Sequence, residues 1–324
     1  MLTKVMNQVS RISQNLKILF MGTPEFSVPI LEALVHEGYQ IISVVTKPDE
    51  PAGRKQVLTP PPVKSFIMKH ETWNIPILQP EKLKDENFIN QVKNLAPDLI
   101  VVAAYGKIIP KAILDIPKYG AINAHGSLLP AWRGAAPIQY AILHGDKKTG
   151  ITIMLIDEEM DHGPLLGKSE ILISKSETSE SLYRKLSVLG AETLIKIISR
   201  YISGDIKPQE QDHSKATFTK IIKKEDGKID WSKSTLELER MTRAFYPWPT
   251  AWTIWNDKVL KILEADGSEK NNEIGKVLVD SGELIIGCGQ GSLVIKKLQL
   301  ESGKILTARE FLNGHKDFIG NILK

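Results

Sequence analysis

Short β-branched runs alternate with stretches of helical periodicity through the first two hundred residues of the chain. The apolar runs are continuous, which is typical of strands buried on both faces of a parallel sheet. The pattern predicts strands at Lys17–Met21, Ile41–Thr46, Leu99–Ala103, Ala121–Asn123, Ile151–Ile156 and Leu165–Ile173. It predicts helices at Val28–His36, Val63–His70, Glu86–Leu95, Ile138–His144 and Ser179–Ser203. We therefore expect an α/β domain over residues 17–203, with a doubly wound, Rossmann-like parallel sheet.

The pattern changes after the last predicted helix. Residues 204–217 are polar, include Pro208 and are predicted to form a linker. From Phe218 the apolar runs become short, and turns that contain glycine separate them. They predict strands at Ala251–Trp255, Val259–Ala265, Gly275–Val279, Glu283–Gly287 and Ser292–Leu300. We expect residues 218–324 to form a small β domain, a barrel of the OB-like kind.

Residues 1–16 precede the first predicted strand and contain no acidic residue. They lack the apolar core of a secretory signal peptide. We interpret them as a disordered N-terminal extension or as the product of a misplaced start codon. A mitochondrial transit peptide is the alternative, since an arginine-bearing, acid-free start is typical of such peptides.

Composition narrows the class of protein. A length of 324 residues suits two domains, because single cores rarely grow beyond about 250–300 residues. The single cysteine, Cys288, excludes an intrachain disulfide framework and suits a reducing cytoplasm. No apolar run reaches the roughly 20 residues of a membrane helix, so we expect no membrane partner. A net charge of +4 permits an anionic partner without requiring one.

The first turn between strand and helix gives no sign of a nucleotide. It spans Gly22–Ser27 and lacks the G-x-G-x-x-G pattern of dinucleotide-binding turns. Glu25 stands where a pyrophosphate would need bare backbone N–H groups, and no phosphate-binding G-x-x-x-x-G-K motif occurs. A nicotinamide- or ATP-dependent enzyme is therefore disfavoured.

The densest group of chemically useful residues is Asn123–Pro130, at the carboxyl end of a predicted strand. Open α/β sheets place their sites at such ends. Asn123 and His125 alternate along the strand, so they point to the same side and could both reach one carbonyl oxygen. The structural alternative is a capping Asn and a satisfied core His, but the surrounding Gly and Pro residues favour a loop shaped for close approach of a ligand.

Proton transfer would also need a carboxylate, and residues 157–161 follow the next predicted strand with four acids. Asp161 precedes a His-Gly-Pro turn that could direct it inward, yet the residues alone do not decide between Asp161 and Asp157. A metal site built from His125, His162 and an acid lacks the usual ligand spacing, so we expect no metal.

The motif Asn-x-His-x-Ser-Leu-Leu-Pro at residues 123–130, followed by Met-Asp-x-Gly at residues 160–163, resembles the folate-dependent formyltransferases. Five further stretches resemble the members of that family that act on methionyl initiator tRNA. They are Phe20–Phe26, Pro48–Arg54, Ala104–Pro110, Lys223–Trp231 and Arg243–Pro249. The resemblance runs from about Lys17 into the β domain, and the last seventy residues are the least distinctive.

The resemblance implies transfer of a formyl group from 10-formyltetrahydrofolate, as co-substrate, to the α-amine of methionine on initiator tRNA. It identifies Asn123, His125 and Asp161 as the catalytic trio, which decides between the two carboxylates. It implies that one segment contacts folate through Ser127, Leu128, Leu129 and Pro130. It implies that a second segment lines the folate site with Tyr105, Gly106, Ile108 and Ile109. It aligns Pro48–Pro62 with a loop that enters the tRNA acceptor region, with Arg54 and Lys55 as the contacts.

The implied chemistry agrees with the residue types. Attack of an amine on a formamide carbon creates an oxyanion that Asn123 and protonated His125 could stabilise by hydrogen bonds. Asp161 would hold His125 and relay the proton of the amine. No metal or nucleotide is needed. We expect a cytoplasmic, bacterial enzyme of translation initiation that acts as a monomer.

One departure from the family concerns tRNA binding. After Gly53 the loop holds only Arg54 and Lys55, where family members often carry more basic residues. Residues 205–324 hold 19 Lys and Arg against 18 Asp and Glu, so the β domain is not basic in bulk. A solvated loop is therefore the plain alternative for Arg54 and Lys55.

Four other functions compete. A formyltransferase for glycinamide ribonucleotide would lack the β domain, and one for a nucleotide-sugar amine would lack the Pro-Ala-Gly-Arg loop. A hydrolase could use the same scaffold to release formate, with water in place of the amine. An OB-type RNA-binding module fused to an inactive folate domain is the non-enzymatic alternative, and an intact trio argues against it.

Overall fold

The computed structural model describes residues 15–53 and 55–324. The chain divides into two compact units. The first contains the described residues up to Pro137 together with Thr149–Ile171 and Tyr183–Thr219, and the second contains Ile138–Lys148, Leu172–Leu182 and Lys220–Lys324. Apart from residues 15 and 16, the predicted extension lies outside the described residues, and so does Arg54.

A seven-stranded sheet organises the first part of the chain, with strand order β5-β2-β1-β6-β7-β8-β9. The first five strands of that order pair in parallel, whereas β8 runs antiparallel to β7. A two-stranded hairpin, β3–β4, stands apart from it. The bounds are β1 Lys17–Gly22, β2 Gln40–Val45, β3 Glu50–Ala52, β4 Val57–Thr59, β5 Ile77–Leu78, β6 Leu99–Ala103, β7 Ala121–His125, β8 Lys148–Leu155 and β9 Leu165–Leu172.

These strands confirm the predicted parallel-dominated α/β fold, with two differences. The sequence pattern missed the β3–β4 hairpin and the two-residue β5, because both are too short to carry a period-2 signal. It also gave no sign that β8 is antiparallel, since β8 is buried along most of its length and reads like the parallel strands beside it.

The described helices are α1 Val28–His36, α2 Pro62–Lys69, α3 Glu86–Leu95, α4 Lys111–Leu114, α5 Pro137–His144, α6 Ser179–Ile202, α7 Thr235–Ala244 and α8 Ala308–Gly314. The start of α3 shows how the sequence sets a boundary, because the Asp85 carboxylate accepts the Phe88 backbone N–H at 3.1 Å. Phe88 and Val92 then belong to the same buried cluster as Leu19 of β1 and Ile100 of β6. This core fixes α3 against the centre of the sheet. Within the described part of the chain, none of the helices combines the length and apolar content that a bilayer crossing demands.

The second unit contains an antiparallel sheet of order β10-β11-β14-β13-β12, with β15 paired to β14, which confirms the predicted C-terminal β domain. The bounds are β10 Ala251–Trp255, β11 Lys258–Ser268, β12 Val277–Asp280, β13 Glu283–Gly287, β14 Ser292–Leu300 and β15 Leu306–Thr307. The sequence pattern predicted no helix after residue 218, but α7 and α8 also belong to this unit. The capping box of Ser234 and Glu237 at the start of α7 was the signal that could have found that helix.

Candidate active site

The Asn123 and His125 side chains leave the same face of β7, because strand side chains alternate. β7 lies between β6 and β8, where Asn123 is opposite Val102 and His125 is opposite Thr152. The His125 ring is only 6% exposed, and its Nε2 lies 3.1 Å from the carbonyl oxygen of Trp132. The strand pairing therefore fixes the histidine backbone, and a backbone acceptor fixes one edge of its ring.

Asp161 reaches this strand end from the loop that joins β8 to β9. Because β8 is antiparallel, its last residue, Leu155, lies opposite Ile122 and not opposite His125. The loop nevertheless brings the Asp161 Oδ1 to 3.5 Å from the His125 Nδ1. The His125 ring thus has an oxygen acceptor at each nitrogen, a carbonyl on one side and a carboxylate on the other.

The geometry distinguishes Asp161 from its neighbour. Asp157 pairs instead with His162, whose Nδ1 lies 2.6 Å from the Asp157 Oδ2. Asp161 is 15% exposed and takes a left-handed backbone conformation with φ of +51°. The structure therefore places Asp161 beside His125, and Asp157 elsewhere.

Gly134 anchors the Asp161 carboxylate, because its backbone N–H donates to the Asp161 Oδ2 at 2.8 Å. Gly134 has a φ of +111°, and an added Cβ would lie 2.7 Å from the Thr219 Oγ1 and 2.9 Å from the Thr219 carbonyl oxygen. Both the conformation and the close approach require glycine. Nothing in the sequence pattern had assigned a role to Gly134.

The Ser127–Pro130 segment is held from beneath by Thr152 of β8. The fully buried Thr152 hydroxyl donates to the Ser127 carbonyl at 2.7 Å and accepts the Leu129 N–H at 3.1 Å. The Lys168 ammonium donates to the Leu129 carbonyl, and burial lowers the pKa of Lys168. Sequence reasoning missed Thr152, although a hydroxyl inside an otherwise apolar strand was a usable signal.

The other predicted folate residues, Tyr105, Gly106, Ile108 and Ile109, differ in how far they are buried. The Tyr105 side chain is 2% exposed and belongs to the core cluster, and burial raises the pKa of its phenol to about 12. Ile109 is also buried, whereas Ile108 is 80% exposed. Gly106, which follows Tyr105 in the chain, has a φ of +76°. Among the predicted folate residues Tyr105, Ile108 and Ile109, Ile108 is therefore the side chain that solvent reaches.

The Pro48–Pro62 loop forms the β3–β4 hairpin. Lys55 is exposed at its turn, and Val57 and Leu58 are 59% and 64% exposed. At the base of the hairpin, the Lys64 Nζ lies 2.8 Å from the Asp49 Oδ1. The pKa of Asp49 is lowered, most by a hydrogen bond from Gln79 and next by a hydrogen bond from Lys64.

Within the described residues, no group of three or more His, Cys, Asp or Glu side chains is arranged to hold a metal ion.

Two family models match the chain. One is described as "Formyl transferase" and matches residues 15–198, and the other as "Formyl transferase, C-terminal domain", matching residues 221–316. Together with the α/β sheet and the strand-end site, these matches define an enzyme of the formyltransferase class.

Relatives narrow that class. The chain is 46% identical to methionyl-tRNA formyltransferase of Thermodesulfovibrio yellowstonii, over 92% of this chain and 96% of the relative. It is 43% identical to methionyl-tRNA formyltransferase of Geobacter sulfurreducens, over 93% of this chain and 94% of the relative. The chain belongs to the methionyl-tRNA formyltransferase family.

Solved structures agree on the fold. The Aquifex aeolicus HypX structure, in complex with tetrahydrofolic acid, has a TM-score of 0.63 at 18% identity and aligns with 93% of this chain. The present chain spans 48% of the HypX chain. An N-formyltransferase from Helicobacter canadensis, in complex with folinic acid and dTDP-3-aminofucose, has a TM-score of 0.63 at 18% identity and aligns with 88% of this chain and all of that one.

Proposed function

We propose that this enzyme transfers the formyl group of 10-formyltetrahydrofolate to the α-amine of methionyl initiator tRNA. The products are formylmethionyl-tRNA, which serves translation initiation, and tetrahydrofolate. The observation that carries the proposal is the meeting of His125 and Asp161 beside Asn123 at the end of β7. In a chain whose relatives are named for this reaction, that constellation supplies the groups that formyl transfer needs.

Asn123 supplies a hydrogen-bond donor. Its side chain is partly exposed on β7, and its carboxamide has no hydrogen-bond partner among residues 15–53 and 55–324. A free donor beside His125 fits a carbonyl oxygen on which charge develops during attack by the amine. One such donor is worth about 3–4 kcal/mol of transition-state stabilisation.

His125 and Asp161 act together on protons and charge. The His125 ring is oriented by two oxygen acceptors, so it is presented in a single orientation. Asp161, whose Oδ1 lies 3.5 Å from the His125 Nδ1, receives the proton that the attacking amine loses, directly or through one water, and this proton passes to N10 as the bond between N10 and the formyl carbon breaks. 10-Formyltetrahydrofolate supplies the electrophilic formyl carbon.

Two segments are proposed to hold the co-substrate. Ser127, Leu128, Leu129 and Pro130 form the segment that Thr152 supports, and Tyr105, Gly106, Ile108 and Ile109 form the other. The burial of Tyr105 in the core assigns its side chain to shaping the segment, while the exposed Ile108 is free to contact a ligand. We assign contact with the tRNA acceptor region to Arg54 and Lys55, which stand in the sequence between β3 and β4.

The catalytic part is proposed as residues 17–203, joined by residues 204–217 to a tRNA-contacting domain at residues 218–324.

We further propose that the protein works as a cytoplasmic monomer. The three catalytic side chains come from one chain, and the single cysteine, Cys288, is a buried free thiol. Burial raises the pKa of that thiol to about 11, which keeps it unreactive in a reducing compartment.

The reaction itself provides the test. The purified protein is incubated with 10-formyltetrahydrofolate and methionyl initiator tRNA, and formylmethionine is quantified after hydrolysis of the ester. We expect tRNA-dependent formylmethionine. Release of formate at the same rate with and without tRNA, and no formylmethionine, would favour the hydrolase and contradict the proposal.

A further inference from the structure

The segment predicted as a linker contributes to the site. Its backbone pairs with the first residue of β9, because Gln209 N–H donates to the Leu165 carbonyl at 2.9 Å and Leu165 N–H donates back at 2.7 Å. Two residues later the Gln211 side chain is only 5% exposed. A buried glutamine needs partners for both ends of its carboxamide.

Those partners are in the loop that carries Asp161. The Gln211 Nε2 donates to the Asp161 carbonyl at 2.9 Å and to the Gly163 carbonyl at 2.8 Å. Asp161 has a left-handed backbone conformation, which is uncommon for residues other than glycine and found most often at Asn and Asp. Gln211 therefore holds the backbone of the carboxylate that faces His125.

Arg133 determines which way the Gln211 carboxamide points. Its guanidinium is 4% exposed and donates to the Gln211 Oε1 from Nη2 at 2.7 Å and from Nε at 3.3 Å. An arginine can only donate, so the oxygen of Gln211 must face it and the NH₂ must face the two carbonyls. Arg133 is also the neighbour of Gly134, whose N–H holds the Asp161 carboxylate.

We propose that Gln211, oriented by Arg133, is a positioning residue for Asp161 in formyl transfer. Gln211 fixes the Asp161 backbone, and Gly134 fixes its carboxylate. Together they set the distance between Asp161 and His125. The inference rests on the proposed function, since it assigns Gln211 a part in that reaction without contact to a substrate.

The test uses Gln211→Glu and Gln211→Met, both close in size to glutamine. In Gln211→Glu one oxygen still accepts from Arg133, while the other faces two carbonyl oxygens and repels them. Gln211→Met removes both donated hydrogen bonds and leaves the two carbonyls unpaired. We expect each variant to lower kcat about 10-fold or more, because small displacements of a catalytic group are costly. KM for 10-formyltetrahydrofolate and the number of tetrahydrofolate sites per chain stay near the wild-type values.

Gln209→Ala is the matched control. Gln209 is exposed and only its backbone pairs with Leu165, so this variant keeps wild-type kcat. A second measurement is a double-mutant cycle with Asp161→Asn. If Gln211 acts through Asp161, the double variant loses no more activity than Asp161→Asn alone, within about twofold.

Independent, additive losses in the cycle would overturn the proposal, and so would wild-type kcat in both Gln211 variants. Failure of both variants to fold, seen as lost tetrahydrofolate sites and a lowered Tm, would assign Gln211 a structural role and also overturn it. Absence of formyl transfer in the wild-type protein and in Gln209→Ala would instead contradict the proposed function. The two failures are therefore distinguishable.

Discussion

At the carboxyl end of β7 the His125 side chain is 6% exposed, whereas Val57 and Leu58 in the β3–β4 hairpin are 59% and 64% exposed. The first region is interlocked by backbone and side-chain hydrogen bonds around Asp161 and Thr152. The β3–β4 hairpin projects apolar side chains into solvent. Catalytic groups have to be held in fixed positions. A surface that binds a macromolecule can expose apolar side chains to solvent until the macromolecule binds.

This contrast predicts that substitutions at the strand end change the chemical step and that substitutions in the hairpin change tRNA recognition. Each experiment below measures kcat and both KM values under the same conditions, so that the two kinds of effect can be separated.

His125→Ala has the largest expected effect. It removes the imidazole that acts with Asp161 on protons and charge and leaves Asp161 without its partner, so we expect kcat to fall about 10²–10³-fold or more. The measurement is formylmethionine formation under single-turnover conditions. His36→Ala, on the exposed face of α1, is the control and keeps its activity. Near-wild-type turnover of His125→Ala would remove this histidine from the mechanism.

Asp161→Asn is expected to lower kcat about 10²-fold and to leave folate affinity unchanged, because the amide cannot take up a proton. The fold tolerates the change, since asparagine adopts the left-handed conformation readily and its oxygen can still accept the Gly134 N–H. Asp157→Asn is the matched control, because Asp157 pairs with His162. Equal losses in both variants, or weakened folate binding with normal kcat, would contradict the assignment.

Arg54→Ala tests the hairpin. We expect kcat/KM for charged tRNA to fall about 10-fold, near 1.4 kcal/mol, with unchanged folate affinity. The effect shrinks as salt rises, because a phosphate contact in the parent enzyme is also screened. Arg200→Ala, an exposed arginine in α6, removes the same charge from the same unit and is the control. An unchanged kcat/KM at low salt would leave acceptor recognition to the β domain.

Lys64→Met has the smallest expected effect. It removes the partner of Asp49 at the base of the β3–β4 hairpin, and such ion pairs are weak, so we expect KM for tRNA to rise about twofold to threefold. Because hydrogen bonds from Gln79 and then Lys64 lower the pKa of Asp49, the pairing persists into the acidic range and is lost only as the pH falls through that lowered pKa. Lys69→Met, on the same helix, is the control. A change in kcat with Lys64→Met would show that the base of the hairpin affects the chemical step.

The sequence predicted the regular parts of this molecule well because burial gives them a period. β6, β13 and β14 have the predicted bounds, as does α3. The antiparallel direction of β8 was not predictable, since direction leaves no trace in a buried strand. For the same reason spacing alone could not place Asp161, and only the resemblance to a family identified it.

The support of the site was missed for a different reason. Gln211 lies in a polar stretch that reads as a linker, and its partners at Asp161 and Gly163 are about fifty positions away in the chain. Thr152 holds two backbone groups that are more than twenty positions away. A polar residue in an apolar strand can mark such a side chain, but the backbone groups that it reaches depend on the folded chain, so no local pattern reports the pairings themselves.

Gly134 sets a limit on how this enzyme could be re-engineered. Its amide meets the Asp161 carboxylate, and the space for a Cβ is taken by Thr219. A library of all twenty amino acids at position 134 would therefore return glycine alone, whereas Gly314, which has no left-handed backbone conformation and whose added Cβ meets nothing within 4 Å, would return several residues. An enzyme engineered for a different acceptor amine must therefore keep Gly134 and change the side chains around it.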